Sequence, residues 1–178
     1  MDNIFFDLNE LAYLGEGAII GKTVRIRNPK NVFIGERCII DDFTYISAYL
    51  KLGDYSHIGP NVAISGGGYN FETGKYTGIA AGCKINCTSN EFLSACLFLP
   101  SIPEEHKVGG IGEDIKFGNH VALGSNTIVS PGVSLPDGFA AGAHTIIRKK
   151  KYESWTLYSG EKAARIMKRN NDRIKNFL

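Results

Sequence analysis

Aliphatic residues return at every sixth position along most of this chain. Ile34, Ile40, Ile46, Leu52, Ile58 and Ile64 form one unbroken series, and Phe117, Leu123, Val129, Leu135, Ala141 and Ile147 form another. Small residues recur four places after several of these anchors: Cys38, Thr44, Ser56 and Val62 early, then Val121, Thr127 and Val133 late. A period of six matches neither the 3.6-residue turn of a helix nor the alternation of a flat strand. It matches a chain wound as a triangular prism, with three short parallel strands to the turn. Each strand then places one aliphatic side chain in a narrow interior.

Counting begins at Leu14, Ile20 and Ile26, with the three faces labelled A, B and C in that order. The run Arg27-Asn28-Pro29-Lys30-Asn31 interrupts the hexads before Ile34, and Gly66-Gly67-Gly68-Tyr69 interrupts them before Thr73, Ile79 and Ile85. Residues 86–116 form the third and longest interruption. Each one follows a face C anchor (Ile26, Ile64, Ile85) and precedes a face A anchor (Ile34, Thr73, Phe117), so all three leave from one corner of the prism. A structureless loop of this length is unusual in a compact domain and commonly functional. This one carries Phe92, Leu93, Leu97, Phe98 and Leu99, and is expected to pack on its own coil or on a neighbouring subunit.

The 178 residues divide into a coil domain, 1–147, and a tail, 148–178. The tail opens with the basic run Arg148-Lys149-Lys150-Lys151. After a break at Gly160, residues 161–178 are expected to form an α-helix with a partial apolar stripe of Ala163, Ile166, Met167 and Ile174. The formal charge of +2 is too small to suggest a nucleic-acid partner. No apolar run reaches membrane-spanning length, and Met1-Asp2-Asn3 lacks a basic leader, so a cytoplasmic protein is expected. Cys38 and Cys83 fall in the small inward slot of their hexads and read as buried free thiols. Cys83 and Cys87 lack a second pair at zinc-binding spacing, so no metal is expected.

Among the four histidines, His57 directly precedes the face B anchor Ile58. Ile58 points inward, so His57 points outward. An outward imidazole on a rigid coil suits a general base, because it titrates near neutral pH and can accept a proton from an attacking hydroxyl or amine. An ordinary surface histidine is the equal alternative. The following Ser65-Gly66-Gly67-Gly68 corner offers bare backbone and N–H donors to a bulky substrate. His120 and His144 sit at the fourth hexad place and read as solvated turn residues. His106 carries no supporting pattern.

The hexads across residues 14–160 resemble the hexapeptide-repeat acyltransferases, whose fold is a left-handed parallel β-helix. Tyr55-Ser56-His57-Ile58 through Gly68, with Thr88-Ser89-Asn90-Glu91-Phe92 and Pro100-Ser101-Ile102-Pro103, resembles the sugar O-/N-acetyltransferase branch. The resemblance implies an all-β coil and transfer of an acyl group, most simply from acetyl-CoA, to a hydroxyl or amine of a sugar or nucleotide sugar. Galactoside and maltose acetyltransferases carry their catalytic histidine in the loop, where the hexads here place Asn90. Asparagine cannot act as a base, so either that role has moved to His57, the reading followed here, or the chain is a weakened enzyme. Ser65, Gly66, Gly67, Asn90 and Glu91 are then the expected acceptor contacts, Glu91 being equally readable as a solvated loop carboxylate.

Leu123-Gly124-Ser125-Asn126 and Ala141-Gly142-Ala143-His144 resemble the family's coenzyme A groove. Gly124, Ser125, Gly142 and Ala143 would leave room for the pantetheine arm, and Arg148, Lys149 and Lys168 would meet its phosphates, a solvated charged face being the equal alternative for these cations. Trp155-Thr156-Leu157-Tyr158-Ser159-Gly160-Glu161-Lys162 resembles the C-terminal signature, with Lys162 in place of a proline. A homotrimer is expected on two grounds: the family is typically trimeric, and His57 on face B lies opposite the corner from which the long loop leaves. Two other readings stand beside this one. A metal-dependent hydratase of the γ-carbonic-anhydrase type would need about three histidines at one level, and a non-catalytic β-helix assembly module would not bind coenzyme A.

Overall fold

A computed structural model describes residues 3–93 and 96–177. Met1, Asp2 and Leu178, which the leader and tail expectations touch, lie outside the described residues. The architecture is the expected left-handed parallel β-helix, all-β and about seven turns long. Faces A and C carry six strands each, and face B carries eight.

The strand register is the one the hexads dictate. On face A, Leu14 pairs with Ile34 and Ile34 with Leu52, then Thr73 with Phe117 and Phe117 with Leu135. On face B the series is Ile20, Ile40, Ile58, Ile79, Leu123 and Ala141, and on face C it is Ile26, Ile46, Ile64, Ile85, Val129 and Ile147. All of these except Leu14 are buried. Leu14 belongs to the first coil and has no coil beneath it. The small residues four places after the anchors face inward as well. Thr44, Thr77, Thr127 and Thr145 bury their hydroxyls by donating to the corner carbonyls of Gly59, Gly74, Gly124 and Gly142.

Three of the corners between faces A and B, at Gly35, Gly74 and Gly118, share a construction: a glycine ends the strand, and the next coil's Asp or Asn moves into the space left by its missing Cβ. A Cβ on Gly35 would lie 2.6 Å from Asp54 Oδ1, and one on Gly118 would lie 2.3 Å from Asp137 Oδ1. Those oxygens accept the N–H groups of Glu36 (3.0 Å) and Asn119 (2.7 Å), tying each coil to the one before. Lys75 also pairs with Asp54 at 2.8 Å and, with the Glu36 N–H, holds its carboxyl below the usual carboxylate range.

The same corner bears an aromatic ladder. Tyr55, Tyr76, His120 and Trp155 occupy equivalent left-handed positions (φ +50° to +59°) on their coils. Tyr55 stacks on Tyr76 at 5.3 Å, Tyr76 on His120 at 4.7 Å, and His120 meets Trp155 at 5.7 Å. His120 is therefore not the solvated turn residue its hexad place suggests. It lies between two rings, with Nε2 buried and without a hydrogen-bond partner. Gly138 skips a rung, because Trp155 folds back into the space a Cβ there would fill. Arg169 closes the ladder, its guanidinium over Trp155 and donating to the carbonyls of His120, Gly138 and Phe139.

Two expectations are corrected. The long insertion is not structureless. Thr88–Ser89 pairs antiparallel with Ile111–Gly112, Leu97 bridges Val108, and the Glu113 N–H returns to Cys87 O at 2.9 Å. It is a hairpin arm whose ends are joined at the coil. The tail contains no α-helix among the described residues: Thr156–Ser159 adds a parallel strand to face B, and Ala164–Lys168 folds back antiparallel upon it, before a 3-10 turn at Asp172–Phe177. The three-to-four spacing of Ala163, Ile166 and Met167 suggested a helical stripe. Positive φ at Gly160 (+81°) and Ala163 (+44°) instead makes a hairpin, and pairing to a ready-made sheet outweighs weak helix propensity.

Candidate active site

His57 stands at the outward position of His57–Ile58 on face B, exposed as its hexad place requires. Asp41 follows the face B anchor of the preceding coil, and its Oδ2 lies 2.8 Å from His57 Nε2. A carboxylate can only accept, so in the neutral ring the proton sits on Nε2 and the lone pair on Nδ1. Asp41 thus selects the tautomer and holds the ring, leaving Nδ1 as the basic atom. Sequence reasoning missed Asp41. The available signal was positional: a residue one place after an anchor lies beside the residue one place before the next coil's anchor.

A separate cleft of about 580 Å³ opens at the corner between faces C and A, beneath the hairpin arm. Ser65, Gly66, Gly67 and Asn90 all line it, so four of the five expected acceptor contacts converge. Arg27 and Lys107 line it too; Lys107 is paired with Glu104, so the positive charge that the sequence reading did not assign is that of Arg27. Arg27 occupies the column of Ser47 and Ser65, one place past the face C anchor. Glu91 is half-buried beside the cleft, and its Oε1 accepts from the Leu93 N–H at 2.7 Å. Gly66 is required by the coil: its φ is +135°, and a Cβ would lie 2.5 Å from Cys87 Cβ. Its N–H faces Ser47 Oγ at 3.4 Å. Gly67 is exposed, with nothing nearer its absent Cβ than Ser47 O at 3.6 Å. His57 does not line this cleft. Within one chain, the base and the acceptor residues occupy different sides of the prism.

Gly124, Ser125, Gly142 and Ala143 gather at the edge between faces B and C. Here the glycines serve coil stacking, since a Cβ on Gly124 would meet Ala143 N at 2.5 Å and one on Gly142 would meet Ser159 Oγ at 2.9 Å. Half-buried Ser125 and exposed Ala143 offer the accessible surface. The three cations do not converge. Arg148 donates to Glu161 O at 2.6 Å, at the next corner along the same edge. Lys149 pairs with Glu113, and Lys168 pairs with Glu153 at 3.0 Å, drawing that carboxyl below its usual range.

The cysteines are free. Cys38, Cys83 and Cys87 are buried, and burial raises all three thiols, Cys87 to about 12. Among the described residues no group of three or more His, Cys, Asp or Glu side chains is placed to hold a metal ion, and no helix is long and apolar enough to cross a membrane.

Comparison with known proteins places this parallel hexapeptide coil in the class of acyl-transferring enzymes. The chain is 31% identical to a dTDP-4-amino-4,6-dideoxy-D-glucose acyltransferase of Escherichia coli over 169 residues, covering 92% of this chain and 86% of that one. It superposes on AntD, an N-acyltransferase from Bacillus cereus solved with dTDP and 3-hydroxybutyryl-CoA. That TM-score is 0.88 at 27% identity, covering 98% and 95% of the two chains. A variant of AntD with dTDP-4-amino-4,6-dideoxyglucose and coenzyme A gives 0.87 at 26% identity, with the same coverage. No protein-family model matches the sequence. The chain belongs to the hexapeptide-repeat acyltransferases, in the sugar-modifying branch, and it is an acyltransferase.

Proposed function

We propose that this protein transfers an acyl group from acyl-CoA to the amine of a nucleotide-linked amino sugar, with His57 as general base. The observation that carries this reading is the His57–Asp41 pair, exposed on face B with its basic nitrogen unengaged by that contact. The sugar amine attacks the thioester carbonyl and a C–N bond forms. Nδ1 takes the proton from the attacking nitrogen. The C–S bond then breaks, and the imidazolium returns that proton to the departing thiolate, so the base is regenerated and free coenzyme A leaves. A direct transfer needs no nucleophilic side chain.

The donor lies along the later coils, with Ser125 and Ala143 bordering the pantetheine arm; of the three expected cations Arg148 is the one at the adjoining corner, and Lys149 and Lys168 would have to leave Glu113 and Glu153 to meet its phosphates. The AntD complexes with coenzyme A support a coenzyme site in this fold. Ser65, Gly67, Asn90 and Glu91 contact the acceptor, and the positive charge of Arg27 suits its diphosphate. Because that cleft and His57 are on different sides of one prism, a complete site requires two copies. A homotrimer in which each arm covers the neighbour's face B supplies three such sites. The reaction belongs in the cytoplasm, where acyl-CoA is made.

The test is thiol release from acetyl-CoA in the presence of dTDP-4-amino-4,6-dideoxyglucose, with other nucleotide-linked amino and hydroxy sugars in parallel. Release that depends on the amino sugar is expected. A protein that does not bind coenzyme A, or that releases thiol at the same rate without acceptor, would defeat the reading.

A further inference from the structure

Almost every glycine in this chain answers a structural demand. Those with φ between +68° and +135° hold turns. Nearly all others sit where a Cβ would come within 3.0 Å of another part of the chain. Gly67 and Gly78 answer neither demand. A Cβ on Gly78 meets no atom within 4 Å, and its backbone is not left-handed. It lies within a strand, Gly78–Ile79, with its N–H donated to Val121 O at 2.8 Å. A glycine there loses more backbone entropy on folding than alanine would and packs no side chain. The fold gains nothing from it.

Gly78 is the register partner of His57 on the next coil of face B. Both residues therefore face outward, side by side. The imidazole is fastened away from Gly78, because Nε2 is held by Asp41 on the coil at its other side. Bare backbone and open space remain on the Gly78 side of the ring. The nucleophile must bring its proton within hydrogen-bond reach of Nδ1, and the carbonyl it attacks must lie about 3–3.5 Å from it. Since Asp41 occupies one side of the ring, the reacting carbonyl belongs on the other.

We infer that Gly78 is the clearance residue for the acyl group: the thioester carbonyl and the first acyl carbons lie over its bare backbone, which admits acyl chains longer than acetyl. The inference rests on His57 being the base. A side chain at position 78 would press on the acyl group and leave the remote parts of the coenzyme untouched. Its effect therefore falls on turnover and acyl size, while affinity for free coenzyme A stays as it was.

Gly78→Ala and Gly78→Val separate this role from a structural one. Thermal midpoint, calorimetric binding of free coenzyme A, and turnover with acetyl-CoA and butyryl-CoA are measured for each variant and for the unsubstituted protein. Both variants are expected to melt at or above the unsubstituted midpoint and to bind free coenzyme A within about twofold. The butyryl-to-acetyl ratio of kcat is expected to fall at least about tenfold in Gly78→Val, with Gly78→Ala intermediate. An unchanged ratio overturns the inference, as does a lowered melting point in Gly78→Ala or an unsubstituted protein that accepts acetyl-CoA alone. Failure of the unsubstituted protein to bind coenzyme A would instead remove the reading of the reaction beneath it.

Discussion

Asp41 reaches His57 from the preceding coil, sixteen residues earlier in the chain, and the 2.8 Å contact fixes which imidazole nitrogen is free to take a proton. Both groups are partly solvated, with side-chain exposures of 54% for His57 and 40% for Asp41, so the pair orients the ring without forming a buried ion pair. His57→Ala is expected to reduce turnover by roughly 10²–10⁴ while the melting temperature and coenzyme A affinity stay near their original values. Asp41→Asn should retain the fold and lose on the order of tenfold or more, because the amide can present its N–H to Nε2 and favour the wrong tautomer. Steady-state kinetics and calorimetry on the two variants check both statements. Unimpaired turnover in His57→Ala would reassign the base.

Burial sets the alkaline limit of the fold. Cys87 is raised from its ordinary 9.0 to about 12, first by desolvation and then by the charge of Asp114. Its contribution to stability is complete below pH 9, where neither state ionises. That contribution is lost as the pH rises toward about 12, because the unfolded chain forms the thiolate and the folded one does not. Denaturant midpoints should fall as the pH rises from about 9 to about 10.5, where the unfolded thiol ionises, and Cys87→Ala should flatten that slope. In the native protein near pH 8, a thiol reagent is expected to label Cys96 ahead of the three buried cysteines.

Arg169 is the clamp on the last coil. Removing it leaves the carbonyls of His120, Gly138 and Phe139 without its donor and uncovers Trp155. Arg169→Ala should cost about 1–3 kcal/mol. It should also shift the emission of the chain's single tryptophan to the red, since the indole loses its cover. Circular dichroism of the coil below the transition is expected to stay unchanged.

The hairpin arm can be removed without breaking the coil, because Glu113 and Cys87 already meet at its base. Replacing residues 89–111 with a short glycine-containing turn should preserve the β-sheet spectrum and abolish acceptor-dependent thiol release. Sedimentation tests the proposed trimer: the variant is expected to run as a smaller species than the full chain, because the exposed side chains of Phe92, Leu93 and Leu97 go with the arm. A deletion variant that remains trimeric and active would remove the arm from the site.

Much of this architecture is legible because a coiled prism is written locally. Each inward side chain is set by its distance from the last anchor, so the register of all three faces follows from counting sixes. What counting cannot supply is contact between coils along the outside. Asp41 and His57 are neighbours only after the coil has been wound, and the His120 stack depends on Gly138 making room for a ring from the next turn. The tail was misread for a related reason. Ala164–Lys168 has no inward side to impose a period of two, so its form is decided by the strand it lands on. The four cleft residues were legible because insertions at one corner collect there, whichever coil they leave.

A parallel coil has no intrinsic last turn, since every completed turn presents the next one with a fresh set of unpaired backbone groups. This chain ends the series by reversing polarity. Ala164–Lys168 runs antiparallel along Thr156–Ser159 and carries Arg165 and Lys168 outward at the rim, anchored to Glu153 at 3.4 and 3.0 Å. On face B the edge left open is therefore Ala164–Lys168, exposed along its whole length, and its outward Arg165 and Lys168 set charged side chains there, one of the devices by which a sheet edge resists taking up a further strand.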